Sequence, residues 1–177
     1  KAGKYADGAS HLEQSVKISP AQPDIWYNLA AAREALGDSA GNRAALDEAY
    51  KHNPKDPDIL FQLALACART KDAEREIKLY RELLVVAPNH KEGLNNLAIS
   101  LAQSGKDDEA LKVLEKAVSA DPGNADNLFV LGVAMERQGK LDKAASYLED
   151  AVRIRPNHAQ AQYMLGLVYQ KLGKNEE

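Results

Sequence analysis

The chain has 177 residues, a formal net charge of −3, and 28% charged residues. This length suits one compact domain, and the charge lacks the basic excess of a protein that binds nucleic acid. No apolar run approaches the roughly 20 residues that a membrane-spanning helix needs. We therefore expect neither a nucleic-acid partner nor membrane insertion.

The compartment of the protein is left open by its sequence. Cys67 is the single cysteine, so an intrachain disulfide is impossible and the redox environment is undetermined. The chain begins with Lys1 and has no readable targeting signal, so we expect it to be a piece of a longer protein. A cytoplasmic location is the working expectation.

A period of 34 residues runs along the chain. Three features share this period: a proline, a leucine, and a small residue directly after that leucine. The prolines are Pro20, Pro54, Pro88, Pro122 and Pro156, and the leucine pairs run from Leu29-Ala30 to Leu165-Gly166. Such a period indicates stacked repeats, because one unit cannot bury its apolar face alone.

Each repeat is predicted to contain two helices, because its apolar residues follow helical spacing on both sides of a glycine. In chain order we expect a lone second helix at about Tyr5–Ser19, four helix pairs, and a lone first helix at about Gln160–Leu172. The total is about ten helices in a single array over residues 1–177. Partial repeats cover 1–22 and 159–177, and full repeats cover 23–56, 57–90, 91–124 and 125–158.

The glycine between the two helices is predicted to adopt the left-handed conformation that ends a helix. In the clearest repeat this residue is Gly139. Its equivalents are Gly3, Gly37, Gly105 and Gly173, and Lys71 stands at the remaining position.

The unit resembles the tetratricopeptide repeat over essentially the whole chain. One copy fills the family pattern with Leu128, Leu131, Gly132, Met135, Gly139, Ala144, Leu148, Ala151 and Pro156, and Trp26 fills its first aromatic position. The resemblance implies an all-α fold, a right-handed α-solenoid of antiparallel helix pairs whose first helices line a concave groove. Gly8, Asn42 and Glu76 depart from the family's alanine, and Arg33 from its buried aromatic residue. We therefore expect looser packing or shifted second helices in the N-terminal half.

The resemblance also implies which residues face the groove. One row is mostly aromatic: Tyr27, Phe61, Asn95, Phe129 and Tyr163. The next row contains Asn28, Gln62, Asn96, Val130 and Met164. Amide side chains match the donors and acceptors of an extended peptide, and Tyr and Phe supply binding energy at interfaces. The alternative is that the amides are ordinary polar surface and the aromatic rings are half buried against neighbouring helices.

A mostly acidic row stands at the starts of the first helices: Asp24, Asp58, Glu92, Asp126 and Gln160. Carboxylates in a first helical turn stabilise the helix dipole without any ligand. A basic segment of a partner would exploit the same row. Both interpretations remain open at this point.

No catalytic, cofactor or metal-binding pattern is found in the sequence. His90 and His158 share a repeat position and are interpreted as solvated, and Cys67 is interpreted as a core residue. Leu167, Val168 and Tyr169 have no following helix to cover them. We therefore expect an uncovered apolar stripe, which would allow self-association through the C-terminal helix.

The predicted function is that of a protein–protein interaction scaffold that is not an enzyme. It would bind an extended or short helical peptide segment of a partner protein in the groove. One alternative is a regulatory or substrate-recruiting arm of a larger enzyme, such as a glycosyltransferase. Another is a self-assembling scaffold of an envelope or secretion complex.

Overall fold

The computed structural model describes residues 2–173, which form ten α-helices and no β-strand. The predicted number of helices is confirmed. The helices are α1 (Ala2–Ile18), α2 (Pro23–Ala35), α3 (Ser39–His52), α4 (Pro57–Arg69), α5 (Ala73–Val86), α6 (Lys91–Gln103), α7 (Asp107–Ala120), α8 (Ala125–Arg137), α9 (Leu141–Ile154) and α10 (Ala159–Lys171). No helix of this described part is long and apolar enough to cross a membrane.

The chain divides into two compact units, Lys1–Gly93 and Leu94–Glu177, hereafter unit 1 and unit 2. In unit 1, α1 packs on α2, α2 on α3, α3 on α4, and α4 on α5. In unit 2, α7, α8, α9 and α10 pack in the same sequential manner. Each unit is described by itself below.

Leucines and alanines at helical spacing form most of both cores. In unit 1, Leu29, Leu63 and Leu83 are fully buried, and in unit 2 Leu131 and Leu148 are. Alanines stand on the same helix faces, where their small side chains allow helices to approach closely: Ala45, Ala49, Ala144 and Ala151. The apolar period read from the sequence therefore corresponds to the buried stripe of each helix.

The turns within the helix pairs use left-handed residues. Gly37, Gly105, Gly139 and Gly173 have φ between 71° and 78°, and Lys71 has φ of 58°. After α2, the N–H of Asp38 donates to the carbonyl of Arg33 at 2.9 Å, the bond that closes a helix before a left-handed residue. The prediction for Gly3 is wrong, since this residue lies within α1. Glycine permits a left-handed turn but does not impose one.

Two residues of unit 1 that depart from the family pattern, Asn42 and Arg33, form polar contacts. Asn42 is buried, and its amide donates to the carbonyl of Ala30. The guanidinium of Arg33 donates to the carbonyl of Gly41 at 3.1 Å and to the carboxylate of Glu13 at 3.0 Å. Asn42 and Arg33, where the sequence suggested looser packing, thus form hydrogen bonds with neighbouring helices.

The C-terminal helix differs from the expectation of an uncovered apolar stripe. Val168 is 0% exposed because it packs into the core of unit 2, and Leu167 and Tyr169 are half-buried. The hydroxyl of Tyr169 donates to the carboxylate of Glu149 on α9 at 2.7 Å. The expectation is therefore wrong for Val168, since α9 packs on this face. Self-association stays a prediction.

Candidate functional site

The predicted groove residues all lie on first helices, and they fall into two sets. Unit 1 contains Tyr27 and Asn28 on α2, with Phe61 and Gln62 on α4. Unit 2 contains Asn95 and Asn96 on α6, Phe129 and Val130 on α8, and Tyr163 and Met164 on α10. The two sets have different surroundings.

A cleft of about 400 Å³ opens in unit 1 beside the first turns of α2 and α4. Three of the residues that line it are aspartates, one of which also caps α4. The lining residues are Asp24, Tyr27, Asn28, Asp56, Asp58 and Ile59. Asp56 accepts hydrogen bonds from the backbone N–H groups of Asp58 and Ile59 at 3.0 and 3.1 Å, which orients its carboxylate at the start of α4.

A second, smaller cavity of about 180 Å³ lies on the other side of Tyr27. Its walls combine small aliphatic side chains with polar groups from α2, α3 and α4. The lining residues are Tyr27, Ala30, Ala31, Glu34, Asn42, Leu46 and Gln62. The carboxylate of Glu34 is paired with the guanidinium of Arg69 at 3.0 Å. Tyr27 is therefore shared by an acidic cleft and a hollow lined by both aliphatic and polar side chains.

The electrostatic environment of Tyr27 is negative. Burial of the ring raises the pKa of the Tyr27 phenol, and the charges of Asp58, Asp56 and Glu34 raise it further. The phenol therefore remains protonated and can donate a hydrogen bond at neutral pH. Asp24 and Asp58 are exposed at the mouth of the cleft, where water and a ligand can reach their carboxylates.

Phe61 differs from Tyr27, because its ring is half-buried among other rings. Its centroid lies 4.9 Å from that of His90 and 6.2 Å from that of Tyr80. A hydrogen bond orients the ring of His90, because its Nδ1 accepts the backbone N–H of Gly93 at 3.1 Å. The interpretation of the aromatic row as half core therefore describes Phe61.

Phe129 in unit 2 has the same kind of partner. Its ring centroid lies 5.0 Å from that of His158, which is only 8% exposed. Nδ1 of His158 accepts the backbone N–H of Ala161 and caps α10. The prediction that His158 is solvated is thus wrong. A signal was present in the sequence, since His90 and His158 each follow a phenylalanine of the row by 29 residues.

The acidic row is neutralised at one position in unit 2. Asp126 accepts two hydrogen bonds from the guanidinium of Arg155, at 2.7 and 2.8 Å, and lies 3.3 Å from Nε2 of His158. The hydrogen bond from Arg155 is the main cause that lowers the pKa of Asp126, and the positive charge of Arg155 lowers it further. Asp126 therefore binds a cationic side chain of its own chain.

The other predicted members in unit 2 are partly engaged in packing. The side-chain oxygen of Asn95 accepts the amide of the buried Asn127 at 2.7 Å. Val130 and Met164 pack against the core of the unit, and Asn96 is half-buried. Tyr163 differs, because it is 68% exposed. Each unit thus has one exposed member of the two rows, Asn28 in unit 1 and Tyr163 in unit 2.

The reactive groups to consider in the described residues are the thiol of Cys67 and side chains that could bind a metal ion. Cys67 is fully buried, and burial raises the pKa of its thiol, as expected for a core residue. Among residues 2–173, no group of three or more His, Cys, Asp or Glu side chains is placed to hold a metal ion.

Solved structures with the same fold confirm the predicted class, an all-α solenoid of repeated helix pairs. YrrB, described as a TPR protein with an unusual peptide-binding site, aligns with a TM-score of 0.80 and 17% identity, over 92% of this chain and 84% of that one. MamA (residues 41 to the end) from Desulfovibrio magneticus RS-1 aligns with a TM-score of 0.77 and 24% identity, over 87% of each chain. Another MamA structure aligns with a TM-score of 0.80 and 21% identity, over 87% of this chain and 84% of that one.

No curated protein sequence matches the chain. The family model for the tetratricopeptide repeat matches in overlapping copies at residues 1–57, 37–91, 77–125, 95–159 and 129–177. Since these copies together span the chain, the protein belongs to the tetratricopeptide repeat family.

Proposed function

We propose that this protein is a non-catalytic interaction module that binds a peptide segment of a partner protein on unit 1. The observation that carries the proposal is the pair of cavities on the two sides of Tyr27, with Asn28 lining one and Gln62 lining the other. YrrB, which has the same fold, is described as having a peptide-binding site. That description belongs to YrrB and supports the proposal by analogy alone.

The two amides would hold the backbone of the peptide. Each offers one acceptor and a two-proton donor, which matches the alternating N–H and C=O groups of an extended segment. Tyr27 would serve as the apolar anchor, because it lines both cavities and its hydroxyl can donate a hydrogen bond. A side chain on each side of this anchor would enter the cleft or the hollow.

Unit 1 is the better candidate because an exposed amide of the row lines a cleft there. In unit 2, the side chain of Asn95 is bonded to Asn127, and Val130 and Met164 stand in place of the amides. In unit 1, Asn28 is exposed at the cleft. The proposal therefore concerns α2 and α4.

A library of random twelve-residue peptides displayed on phage tests this proposal. The library is selected on the unmodified protein, and enriched peptides are synthesised with a fluorescent label and titrated by anisotropy. The double variant Asn28→Ala/Gln62→Ala should bind them about tenfold more weakly or worse, since two hydrogen bonds of about 0.5–1.5 kcal/mol each are lost. Gln14→Ala is the matched control, because Gln14 is an exposed amide on α1 that lines neither cavity.

The proposal is overturned if no peptide is enriched. It is equally overturned if the double variant binds the enriched peptides as tightly as the Gln14→Ala control. Thermal unfolding followed by circular dichroism shows whether the double variant remains folded. Binding is compared only at temperatures below its melting temperature.

A further inference from the structure

The cleft of unit 1 is strongly acidic. Its lining includes the carboxylates of Asp24, Asp56 and Asp58, and none of the residues that line it or the neighbouring hollow is Lys or Arg. The carboxylates and the ring of Tyr27 form the wall of one space, so a ligand in the cleft would meet both. The charge of this wall complements a cationic group.

The chain contains its own example of a cation at this repeat position. Asp126 occupies the position of Asp24 and Asp58 in its repeat, and it binds the guanidinium of Arg155 through two parallel hydrogen bonds of 2.7 and 2.8 Å. Arg155 follows Asp126 by 29 residues. The residues that follow Asp24 and Asp58 by the same interval are Asn53 and Ala87, which carry no positive charge.

The carboxylate at this repeat position thus pairs with an arginine of the same chain in unit 2, whereas in unit 1 it lines an open cleft. The neighbouring hollow has a different character, since Ala30, Ala31 and Leu46 contribute to its wall. Its one carboxylate, that of Glu34, is paired with Arg69. Its volume of about 180 Å³, against about 400 Å³ for the cleft, suits a smaller side chain.

We propose that the peptide bound by unit 1 places an arginine side chain in the acidic cleft and a small aliphatic side chain in the hollow beyond Tyr27. This inference rests on the proposed peptide-binding function and adds the chemistry of the peptide. Arginine is preferred to lysine for two reasons. Its planar guanidinium forms paired hydrogen bonds with a carboxylate, as Arg155 does with Asp126, and it stacks on an aromatic ring such as Tyr27.

The test uses the peptides selected on the unmodified protein. Each peptide is made with its arginine, with lysine in its place, and with citrulline, which keeps the shape of arginine and removes its charge. Binding is measured by fluorescence anisotropy to the unmodified protein and to the double variant Asp24→Asn/Asp58→Asn. The control is Asp7→Asn/Asp142→Asn, which changes the net charge equally at exposed positions that line neither cavity.

We expect the citrulline peptide to bind the unmodified protein about tenfold more weakly than the arginine peptide, with the lysine peptide between them. On Asp24→Asn/Asp58→Asn the differences among the three peptides should shrink, because only the carboxylate of Asp56 remains in the cleft, whereas the control double variant should preserve them. Higher salt should narrow the difference between the arginine and citrulline peptides, because the carboxylates are exposed.

Two results would overturn this inference and leave the proposed function standing. One is selection of peptides that depend on Asn28 and Gln62 but show no enrichment of arginine. The other is an arginine peptide that binds Asp24→Asn/Asp58→Asn as tightly as the control variant. If no peptide depends on the two amides, the proposed function itself fails and this inference fails with it.

Discussion

The side-chain amide of Asn42 on α3 donates a hydrogen bond of 2.9 Å to the backbone carbonyl of Ala30 on α2. The side-chain oxygen of the same residue accepts a hydrogen bond of 3.1 Å from Arg69 on α4. Asn42 is 2% exposed, and its bond to Ala30 is buried, whereas the bond from Arg69 is partly buried. A single buried amide therefore connects three consecutive helices of unit 1.

This connection predicts that Asn42→Ala destabilises the protein, although alanine is the family's usual residue at this position. The substitution removes both hydrogen bonds of a buried amide, and we expect the free energy of unfolding to fall by about 1–3 kcal/mol. Urea unfolding followed by circular dichroism measures the change. Gln14→Ala, at an exposed position of α1, should stay within about 0.5 kcal/mol of the unmodified protein.

The opposite outcome is equally informative. If Asn42→Ala raised the urea midpoint, the family pattern would outweigh the hydrogen bonds, and the polar connection between the three helices would contribute no stability.

The helix pairs and their turns could be predicted from the sequence because they depend on local chemistry. A leucine followed by a small residue and a glycine at a fixed period determines which face is buried and where a helix ends. The role of Asn42 could not be predicted, because its partners Ala30 and Arg69 lie 12 and 27 residues away. Hydrogen-bond partners between repeats depend on packing angles that the period does not specify.

The candidate site was predictable to the same degree. The repeat placed Tyr27, Asn28 and Gln62 on first helices, where the structure has them. It could not decide whether an aromatic residue of the row remains accessible or packs on a histidine cap, as Phe129 does on His158. That outcome depends on which residue caps the next first helix, and the 34-residue period does not specify this residue.

Two glycines at the same repeat position should respond in opposite ways to alanine. At Gly132, a Cβ would lie 2.7 Å from Cγ of Leu148 and 3.3 Å from the carbonyl oxygen of Ala144. At Gly166 in α10, a Cβ would meet nothing within 4 Å. Gly132→Ala should lower the free energy of unfolding by about 1–3 kcal/mol through overpacking. Gly166→Ala should raise it by about 0.5–1 kcal/mol, because alanine is the better helix former.

Thermal and urea unfolding of the two variants side by side checks this prediction. Each glycine serves as the control for the other, since both directly follow a leucine of the repeat. Equal stabilisation by both substitutions would show that Leu148 moves aside without cost and that packing at Gly132 is loose.

Lys71 offers a gain in stability at a turn. Its φ of 58° lies in the left-handed region that glycines occupy at the four equivalent turns. An L-residue with a side chain is disfavoured there by roughly 1–2 kcal/mol, so Lys71→Gly should raise the free energy of unfolding by up to about 1 kcal/mol. The reciprocal change Gly139→Lys should lower it by a similar amount. At Gly139 a Cβ would meet nothing within 4 Å, so the backbone conformation alone is tested.

Differential scanning calorimetry of both variants measures these changes. Stabilisation by Lys71→Gly together with destabilisation by Gly139→Lys is the expected pair of results. If Lys71→Gly destabilised the protein, a contact of the lysine side chain would have to outweigh the backbone strain.

The stability of unit 1 should depend on pH through Asp72. The guanidinium of Arg43 binds this carboxylate and is the main cause that lowers its pKa, and the backbone N–H of Arg75 contributes. The folded state therefore holds the proton of Asp72 less tightly than the unfolded state, where the pKa is about 3.9. The stabilisation is complete above that value and is lost as the pH falls through the lower pKa of the folded state.

Asp72→Asn isolates this contribution, because asparagine can still cap α5 but carries no charge. At pH 7 the variant should be less stable than the unmodified protein in urea unfolding, and the difference should shrink steadily between about pH 5 and pH 2. Asp7→Asn, at an exposed position of α1, serves as the control for the loss of one negative charge. If the difference in stability between Asp72→Asn and the unmodified protein stayed constant over this range, Arg43 would stabilise the turn whether or not Asp72 is charged. The bond would then act only through its geometry.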